Sequence, residues 1–358
     1  MKAVALERVE KTYPDGTRAV RALDLAVEPG EFVVLLGPSG CGKTTTLRMI
    51  AGLETPTAGR VLLGGADVTA LRPARRDVGF VFQFYALYPH LSVAENIAFP
   101  LECAGVARDE RERRVRELAQ HLGLAPLLAH RPHQLSGGDQ QRVALARAMV
   151  RRPSVWLMDE PLGTLDADLR LALCEFLRAQ QLAERVTTVY VTHDQEEAMR
   201  LADRVVVMAG GAILQADAPA RVYDEPADLF VARFVGSPGM NLIEGEVRAV
   251  GGGISFAPKG DAATGLALAR SASARPGPAV LGIRPEFVRL DPAGALRGRV
   301  AVDEYLGASR CLHVDTGAGR VIARCAPDAA ASAGSEVALA LEPERVLLFE
   351  PGSGRRLA

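Results

Sequence analysis

Gly37-Pro38-Ser39-Gly40-Cys41-Gly42-Lys43-Thr44 is the stretch whose reading decides the fold of this chain. It follows directly on the apolar run Phe32-Val33-Val34-Leu35-Leu36 and precedes a helix-compatible stretch from Thr45 to Ala51. The run is short, uncharged and valine-rich, which predicts a buried parallel strand. Two glycines separated by four residues, then Lys and Thr, between a strand and a helix, fit a phosphate-binding loop. Gly37, Gly40 and Gly42 let the backbone curl so that successive N–H groups wrap an anion. The helix that opens there adds partial positive charge at its N-terminus. Lys43 supplies a full charge for the outer phosphates, and the Thr44 hydroxyl is suited to Mg²⁺. A glycine-rich turn matching by chance would require neither the strand before it nor the helix after it.

At 358 residues, 48% hydrophobic and 24% charged, the chain has room for two domains with separate cores and the makeup of a globular protein. A formal net charge of −1 argues against a generally nucleic-acid-coating protein. No uncharged apolar run approaches the roughly 18–20 residues of a membrane helix. The longest candidate, Val205 to Leu214, carries two glycines and is too short. Met1-Lys2-Ala3-Val4 has no signal-peptide core. Five scattered cysteines form no disulfide framework, which predicts a reducing, cytosolic setting.

Upstream of the loop, Val4, Leu6 and Val9, then Val20 to Val27, alternate as strands do. Tyr13 lies in the turn Lys11-Thr12-Tyr13-Pro14-Asp15-Gly16, where an aromatic either packs the turn or offers a flat face to a base. Strands are expected at 60–63 and 78–82. The second ends on Gln83, followed by Phe84-Tyr85-Ala86-Leu87-Tyr88-Pro89. That glutamine either caps the strand end or reaches Mg²⁺ and an attacking water, with the aromatic cluster behind it touching another protein. Ser92-Val93-Ala94-Glu95 is a capping box that starts a helix at Ser92. A second helix opens near Asp109, with Val115, Leu118, Ala119 and Leu122 on one face and solvated arginine and glutamate elsewhere. Together these make a helical insert in an α/β core.

Leu135-Ser136-Gly137-Gly138-Asp139-Gln140-Gln141-Arg142 opens a helix expected to run to about Arg151, before Pro153. Ser136, Gly137 and Gly138 at its start form a second anion cradle, or a plain cap. Val155-Trp156-Leu157-Met158 reads as another buried strand, ending in Asp159-Glu160. Carboxylates at the C-terminal edge of a parallel strand stand where ligands bind. One suits Mg²⁺, and the next suits orienting or deprotonating a water. Asp166 caps the helix through Leu169, Leu173, Phe176 and Leu177, and the strand Thr188-Val189-Tyr190-Val191-Thr192 ends at His193-Asp194. Each polar strand end has a bland reading alone. Their convergence on one sheet edge is the stronger argument.

In this order the pieces resemble an ATP-binding-cassette (ABC) ATPase over residues 1–235. The resemblance implies that Gly37, Pro38, Ser39, Gly40, Cys41, Gly42, Lys43, Thr44 and Thr45 are a Walker A loop holding ATP. Gln83 falls at the Q-loop, 135–142 at the ABC signature, Asp159 at Walker B with Glu160 as catalytic glutamate, and His193 at the switch histidine. Gly163-Thr164-Leu165-Asp166 falls at the D-loop, which places Asp166 near nucleotide, and Tyr13 becomes an adenine-stacking residue. Thr44, Gln83 and Asp159 are then the Mg²⁺ residues, and Glu160, His193 and Gln83 the catalytic ones. Tyr85-Ala86-Leu87-Tyr88-Pro89-His90 is similar to the bacterial maltose and glycerol-3-phosphate importer ATPases. So are Val235-Gly236-Ser237-Pro238-Gly239-Met240-Asn241 and Leu281-Gly282-Ile283-Arg284-Pro285-Glu286. The expected architecture is therefore an α/β P-loop NTPase core over 1–235, with a helical subdomain at about 84–150, and an all-β OB-like regulatory domain over 236–358.

The tail supports this on its own terms. Short strand candidates at 245–250, 280–283, 296–302, 311–315, 320–324, 337–341 and 346–349 alternate with Gly/Pro turns. The Ala/Gly/Ser-rich pieces at 261–278 and 326–335 read as loops. Cys311, His313 and Cys325 lack the spacing of a metal site.

Two residues depart from the family pattern: Asp139 where glutamine is usual and Gly163 where serine is usual. Asp139 still offers an acceptor to a ribose hydroxyl but adds negative charge near the phosphates, and Gly163 loosens the loop. One Walker A and one signature per chain imply a head-to-tail pair with two ATPs between the copies. The chain then passes its motion to two membrane permease subunits near 84–87, at the cytoplasmic face of the inner membrane, with an extracytoplasmic solute-binding protein as an indirect partner. The C-terminal domain steadies the pair or binds a regulatory protein. The solute is expected to be a sugar, polyol or glycerol-3-phosphate, with a polyamine or ferric importer as the alternative. A nucleic-acid-acting ABC ATPase would show a second cassette, a coiled-coil insert or a basic region, so no nucleic-acid partner is expected.

Overall fold

The computed structural model describes residues 2–163, 165–250, 253–261, 264–268 and 275–357. Thr164 of the expected D-loop, Met1 and parts of the 261–278 loop lie outside the described residues. Contacts divide the chain into two units, Met1–Pro219 and Ala220–Ala358.

The first unit opens with an antiparallel pair, β1 (Val4–Thr12) and β2 (Arg18–Val27). Its apolar alternation skips a beat between Leu6 and Val9 and again between Val20 and Leu23. Arg8 and Ala22 take left-handed backbone there (φ 47° and 37°), and the resulting bulges keep every one of these side chains buried. With β4 (Ala58–Leu63) and β5 (Ala66–Asp67) they form a sheet in the order β2-β1-β4-β5.

The second sheet carries the strand-loop-helix of the opening stretch. It contains β3 (Phe32–Leu36), β6 (Val78–Val81), β7 (Val155–Asp159), β8 (Thr187–Thr192), β9 (Arg204–Ala209) and β10 (Ala212–Asp217), in the order β10-β9-β3-β8-β7-β6. All neighbours are parallel except β10 and β9. All five residues of β3 are 0% exposed, which is why the run carries no alternation: both faces are covered. Register sets Leu36 beside Thr192, Asp159 beside Val191 and Val81 beside Met158. The loop, the two acids, Gln83 and His193 therefore leave one edge together.

Helix α1 (Lys43–Ala51) follows β3. Between β6 and β7 come α2 (Val93–Cys103), α3 (Arg108–His121) and α4 (Gly137–Met149). Ser92 and Glu95 close the expected capping box on α2. Helix α4 stops two residues earlier than the sequence suggests, because Arg152 turns left-handed (φ 54°) ahead of Pro153. Helix α5 (Ala167–Glu184) joins β7 to β8, and α6 (Gln195–Leu201) joins β8 to β9. Among the described residues no helix is long and apolar enough to cross a membrane.

The second unit begins earlier than the 235/236 boundary expected from the sequence. Helices α7 (Pro219–Asp224) and α8 (Leu229–Phe234) pack with the C-terminal strands, where Leu229 and Ala232 join Met240, Val280 and Phe349 in one apolar cluster. Arg284, 2% exposed, donates to the carbonyls of Tyr223, Ala232 and Val235 and lies 4.1 Å from the Tyr223 ring.

Strands β11 (Asn241–Val250), β12 (Gly253–Pro258), β13 (Leu266–Ala267) and β14 (Gly277–Ile283) make one sheet with the later β20 (Leu347–Phe349) and β21 (Arg356–Leu357). The strands β15 (Val288–Leu290), β16 (Leu296–Tyr305), β17 (Arg310–Thr316), β18 (Gly319–Cys325) and β19 (Glu336–Leu341) make the other. One core joins the two sheets, from Ile243 and Phe256 to Leu312 and Leu339. The stretch at 261–278, read as loop, contains β13 and the start of β14. Strands of two or three residues are too short to show a period of two.

Candidate functional site

Gly42 caps α1 at φ 102°, a conformation that L side chains avoid, and a Cβ there would stand 2.3 Å from the Ala19 carbonyl oxygen. Gly37 has a different reason: its Cβ would meet the Met208 carbonyl oxygen at 2.3 Å, so the loop presses onto β9. Loop curvature, expected of both glycines, is required at Gly42, and close packing is required at both. Lys43 is 5% exposed, and its Nζ donates to the carbonyls of Gly37 (2.6 Å) and Pro38 (3.0 Å), beside Cys41 Sγ at 3.7 Å. Ser39 and Gly40 form the exposed tip of the loop.

Thr44 Oγ1 donates to Asp159 Oδ1 at 2.7 Å, which brings together two of the expected metal residues from elements 115 positions apart. Asp159 is 1% exposed. Burial pushes its carboxyl above the ordinary range, and the Thr44 bond and the Arg48 charge oppose that. The next residue, Glu160, has φ 46° and donates its N–H to the Val191 carbonyl at 2.9 Å. Its carboxylate accepts from Gln83 Nε2 at Oε2 (3.0 Å), and His193 Nδ1 stands 3.2 Å from Oε1. All three expected catalytic side chains thus meet on one carboxylate. Gln83 uses its amide nitrogen for this, whereas the metal reading concerns its amide oxygen.

Tyr13 reaches the same region. Its hydroxyl is 3.4 Å from Thr45 Oγ1, and Lys11 Nζ lies 5.1 Å from the ring centroid.

Ser136, Gly137 and Gly138 open α4. Among the described residues, no hydrogen bond joins them to residues 37–44. Ser136 caps α4, accepting from the Asp139 N–H, and Asp139 Oδ2 accepts in return from Ser136 Oγ (2.6 Å) and N (3.3 Å). The other oxygen of Asp139 takes Arg142. Burial raises the Asp139 carboxyl, but the Ser136 and Arg142 bonds outweigh it and hold it below its ordinary value. The charge that Asp139 adds to the signature is therefore already paired within α4. Gly163 has room to spare: among the described residues a Cβ there would meet only the Glu160 carbonyl oxygen, at 3.8 Å. Nothing in the structure explains the glycine. Asp166 caps α5, accepting from the Leu169 N–H at 2.9 Å, and among the described residues makes no bond to the loop cluster.

Two arginines that the sequence reading left aside tie these parts together. Arg170 donates to the Leu165 carbonyl (2.9 Å) and to Asp194 Oδ2 (3.2 Å), linking the segment after Glu160 to the residue after His193. Arg147 donates to the carbonyls of Tyr85 (2.8 Å) and Ala86 (2.7 Å). Neither belongs to a short motif, and only their position on the face of a helix near a loop carbonyl would have marked them.

A glycine-rich turn between β3 and α1, suited to phosphate, with acids at the end of β7 one strand beyond its neighbour β8, fits a P-loop ATPase. Comparison with known proteins makes the class specific. The ABC transporter family matches residues 20–163, the MalK OB fold domain 236–288 and the TOBE domain 281–349. The sn-glycerol-3-phosphate import ATP-binding protein UgpC of Burkholderia pseudomallei is 46% identical over 367 residues, covering 99% of both chains. UgpC 1 of Rhizobium johnstonii is 44% identical, covering 99% of this chain and 96% of its own. Among solved structures, a dimeric ATP-binding cassette in a post-hydrolysis state bound to ADP and Pi is 34% identical. It superposes with a TM-score of 0.57 over 60% of this chain and 98% of its own. This chain belongs to the ABC transporter family, among its import ATP-binding proteins, which are ATPases coupled to transport.

Proposed function

We propose that the chain hydrolyses ATP to drive bacterial uptake of glycerol-3-phosphate, or of a related sugar or polyol, through separate permease subunits. The names of its relatives support the solute, and the geometry around Glu160 supports the chemistry. Glu160 acts as the base on the attacking water, with Gln83 and His193 orienting its carboxylate. Gly37, Pro38, Ser39, Gly40, Cys41 and Gly42 wrap the phosphates, Lys43 offsets their charge, Thr45 lies at the entry to α1, and Tyr13 stacks on the base.

Thr44 and Asp159, two hard oxygen donors in contact, fit Mg²⁺, which takes one or two protein oxygens beside substrate phosphates; the Gln83 amide oxygen is a third candidate. When bound, the ion supplies charge neutralisation at the outer phosphates. Lys43 and the loop N–H groups orient the nucleotide beside it.

One phosphate loop and one signature in the chain support a head-to-tail pair in which each signature (Ser136, Gly137 and Gly138), with Asp166 at the seam, completes the partner's site. The related cassettes of known structure are described as dimers. We place residues 1–235 as the nucleotide-binding part, held against two permeases at the cytoplasmic face of the membrane and served by an external solute-binding protein. The part from 236 onward steadies the pair or receives a regulatory protein.

The single observation carrying the chemistry is the meeting of Gln83 and His193 on the Glu160 carboxylate. Glu160→Gln is expected to bind ATP and dimerise while turning over at least ~10²-fold more slowly. Wild-type turnover in that variant would sink the assignment.

A further inference from the structure

The exposed loop after Gln83 has an unusual backbone. Tyr85 (φ 58°) and Ala86 (φ 50°) are consecutive non-glycine residues in the left-handed region. That region is disfavoured for L residues, so surrounding groups must impose it. Arg147 does so. Its Nη1 donates to the Ala86 carbonyl at 2.7 Å, its Nη2 to the Tyr85 carbonyl at 2.8 Å, and its guanidinium lies 5.3 Å from the Tyr88 ring centroid. A planar fork with several fixed donors can take two adjacent carbonyls at once; an ammonium cannot do so with the same geometry.

Arg147 stands on α4, the helix whose first turn is the Ser136–Gly138 cradle. The loop also passes close to that first turn, with room for little more than one methyl group between them: a Cβ built on Gly137 would lie 3.7 Å from the Tyr85 hydroxyl. The loop is therefore bonded to α4 through Arg147 and lies near its first turn, about 15 Å away along the helix axis. Phe84, next to the clamped residues, is 85% exposed.

We propose that Arg147 is a positioning residue that locks residues 84–87 onto α4, so that the surface offered to the permease and the signature cradle move as one body. This rests on the reading of residues 84–87 as the permease contact. Arg147 touches neither nucleotide nor solute; it acts through the loop. Motion of the cradle on closing the ATP-loaded pair then reaches the loop without loss, because a fork holding two carbonyls leaves it no independent hinge.

The test uses the full-length chain with Arg147→Ala and Arg147→Lys, each read in two ways. The first is ATP turnover by the isolated chain. The second is the additional turnover when the chain is assembled with its permeases in vesicles and solute is taken up. For Arg147→Ala the isolated turnover is expected to stay within about twofold of wild type, and the permease-dependent part to fall about tenfold, the loss of at least one charge-assisted hydrogen bond. Arg147→Lys is expected to fall between the two. Ala86→Gly added to Arg147→Ala is expected to recover much of the coupling, since glycine keeps the left-handed backbone without a clamp. Wild-type coupling in Arg147→Ala overturns the proposal. So does an equal fall in both readouts, which would assign Arg147 to the hydrolytic site or to general stability. Failure of the underlying reading looks different: the wild-type chain itself would show no permease-dependent turnover, and the proposal would fall with it.

Discussion

Arg284→Met probes the packing of α7 and α8 against the C-terminal strands. In the structure Arg284 is 2% exposed and serves three carbonyls on α7, on α8 and just after it: Tyr223 at 2.7 Å, Ala232 at 3.1 Å, and Val235. Tyr223, under the guanidinium, donates its hydroxyl to Glu286 at 2.5 Å; burial, and after it this bond, pushes the phenol up to about 12. Methionine would keep the apolar stem and remove every donor. The Ala232 carbonyl retains the Met240 N–H at 3.1 Å, but the other two lose the Arg284 bond. At roughly 1–3 kcal/mol for each stranded acceptor, and with some relief from no longer burying a cation, the net loss is about 3 kcal/mol. With a urea slope near 2 kcal/mol per M, the midpoint for the C-terminal unit should fall by about 1.5 M. The lone tryptophan, Trp156, is buried on β7 in the first unit, so its fluorescence reports that unit. The shift should therefore appear in the circular dichroism melt and leave the fluorescence melt in place. Arg284→Lys, which keeps the charge without the fork, should recover less than half of the loss. A dichroism midpoint within about 0.25 M of wild type would refute the reasoning.

Other expectations concern the site. Tyr13→Ala should weaken ATP binding by about 1–3 kcal/mol, the size of one lost stack, in a titration with a fluorescent nucleotide; unchanged affinity would return Tyr13 to turn packing. Gly42→Ala combines a left-handed backbone with a Cβ 2.3 Å from the Ala19 carbonyl oxygen, and should lower the fluorescence-detected urea stability by at least ~2 kcal/mol and abolish tight ATP binding. Glu197, 4% exposed, has its carboxyl raised by burial above 4.5, against the bonds from Tyr190 and Thr192. A raised value means that the folded state keeps a proton the unfolded state releases, so this group costs stability as pH rises from 4.5 through its folded value. Glu197→Gln should flatten that part of the stability profile, and an unchanged slope in pH-dependent urea melts would count against it.

Much of the fold can be read locally because its signals are local. The run Phe32-Val33-Val34-Leu35-Leu36 is apolar without alternation, and that alone requires a strand covered on both faces. The capping boxes at Ser92 and Ser136 and the cap at Asp166 lie within three residues of their partners. The strand ends at Gln83, Asp159 and His193 are legible for the same reason, and parallel pairing then brings them to one edge. What sequence does not reveal are bonds between distant segments. Arg147 to Tyr85, Arg170 to Asp194 and Arg284 to Tyr223 span 62, 24 and 61 positions, and arginine at those places reads as an ordinary solvated charge. Helices α7 and α8 look like a continuation of the first unit because short amphipathic helices carry no mark of what they pack against. Asp139 looks like a charge added to the nucleotide's surroundings until its i,i+3 partner Arg142 on the same helix is counted, and that pairing is local enough to be legible too.

The left-handed backbone at Glu160 has a consequence for how this chain can change. That turn sends two consecutive acids in different directions, Asp159 toward Thr44 and Glu160 toward Gln83 and His193. Glycine or asparagine would suit the same backbone better, by roughly 1 kcal/mol. Durability and turnover therefore pull against each other at this one position. A population selected only for heat resistance would drift toward a more robust cassette that grips its nucleotide and no longer spends it.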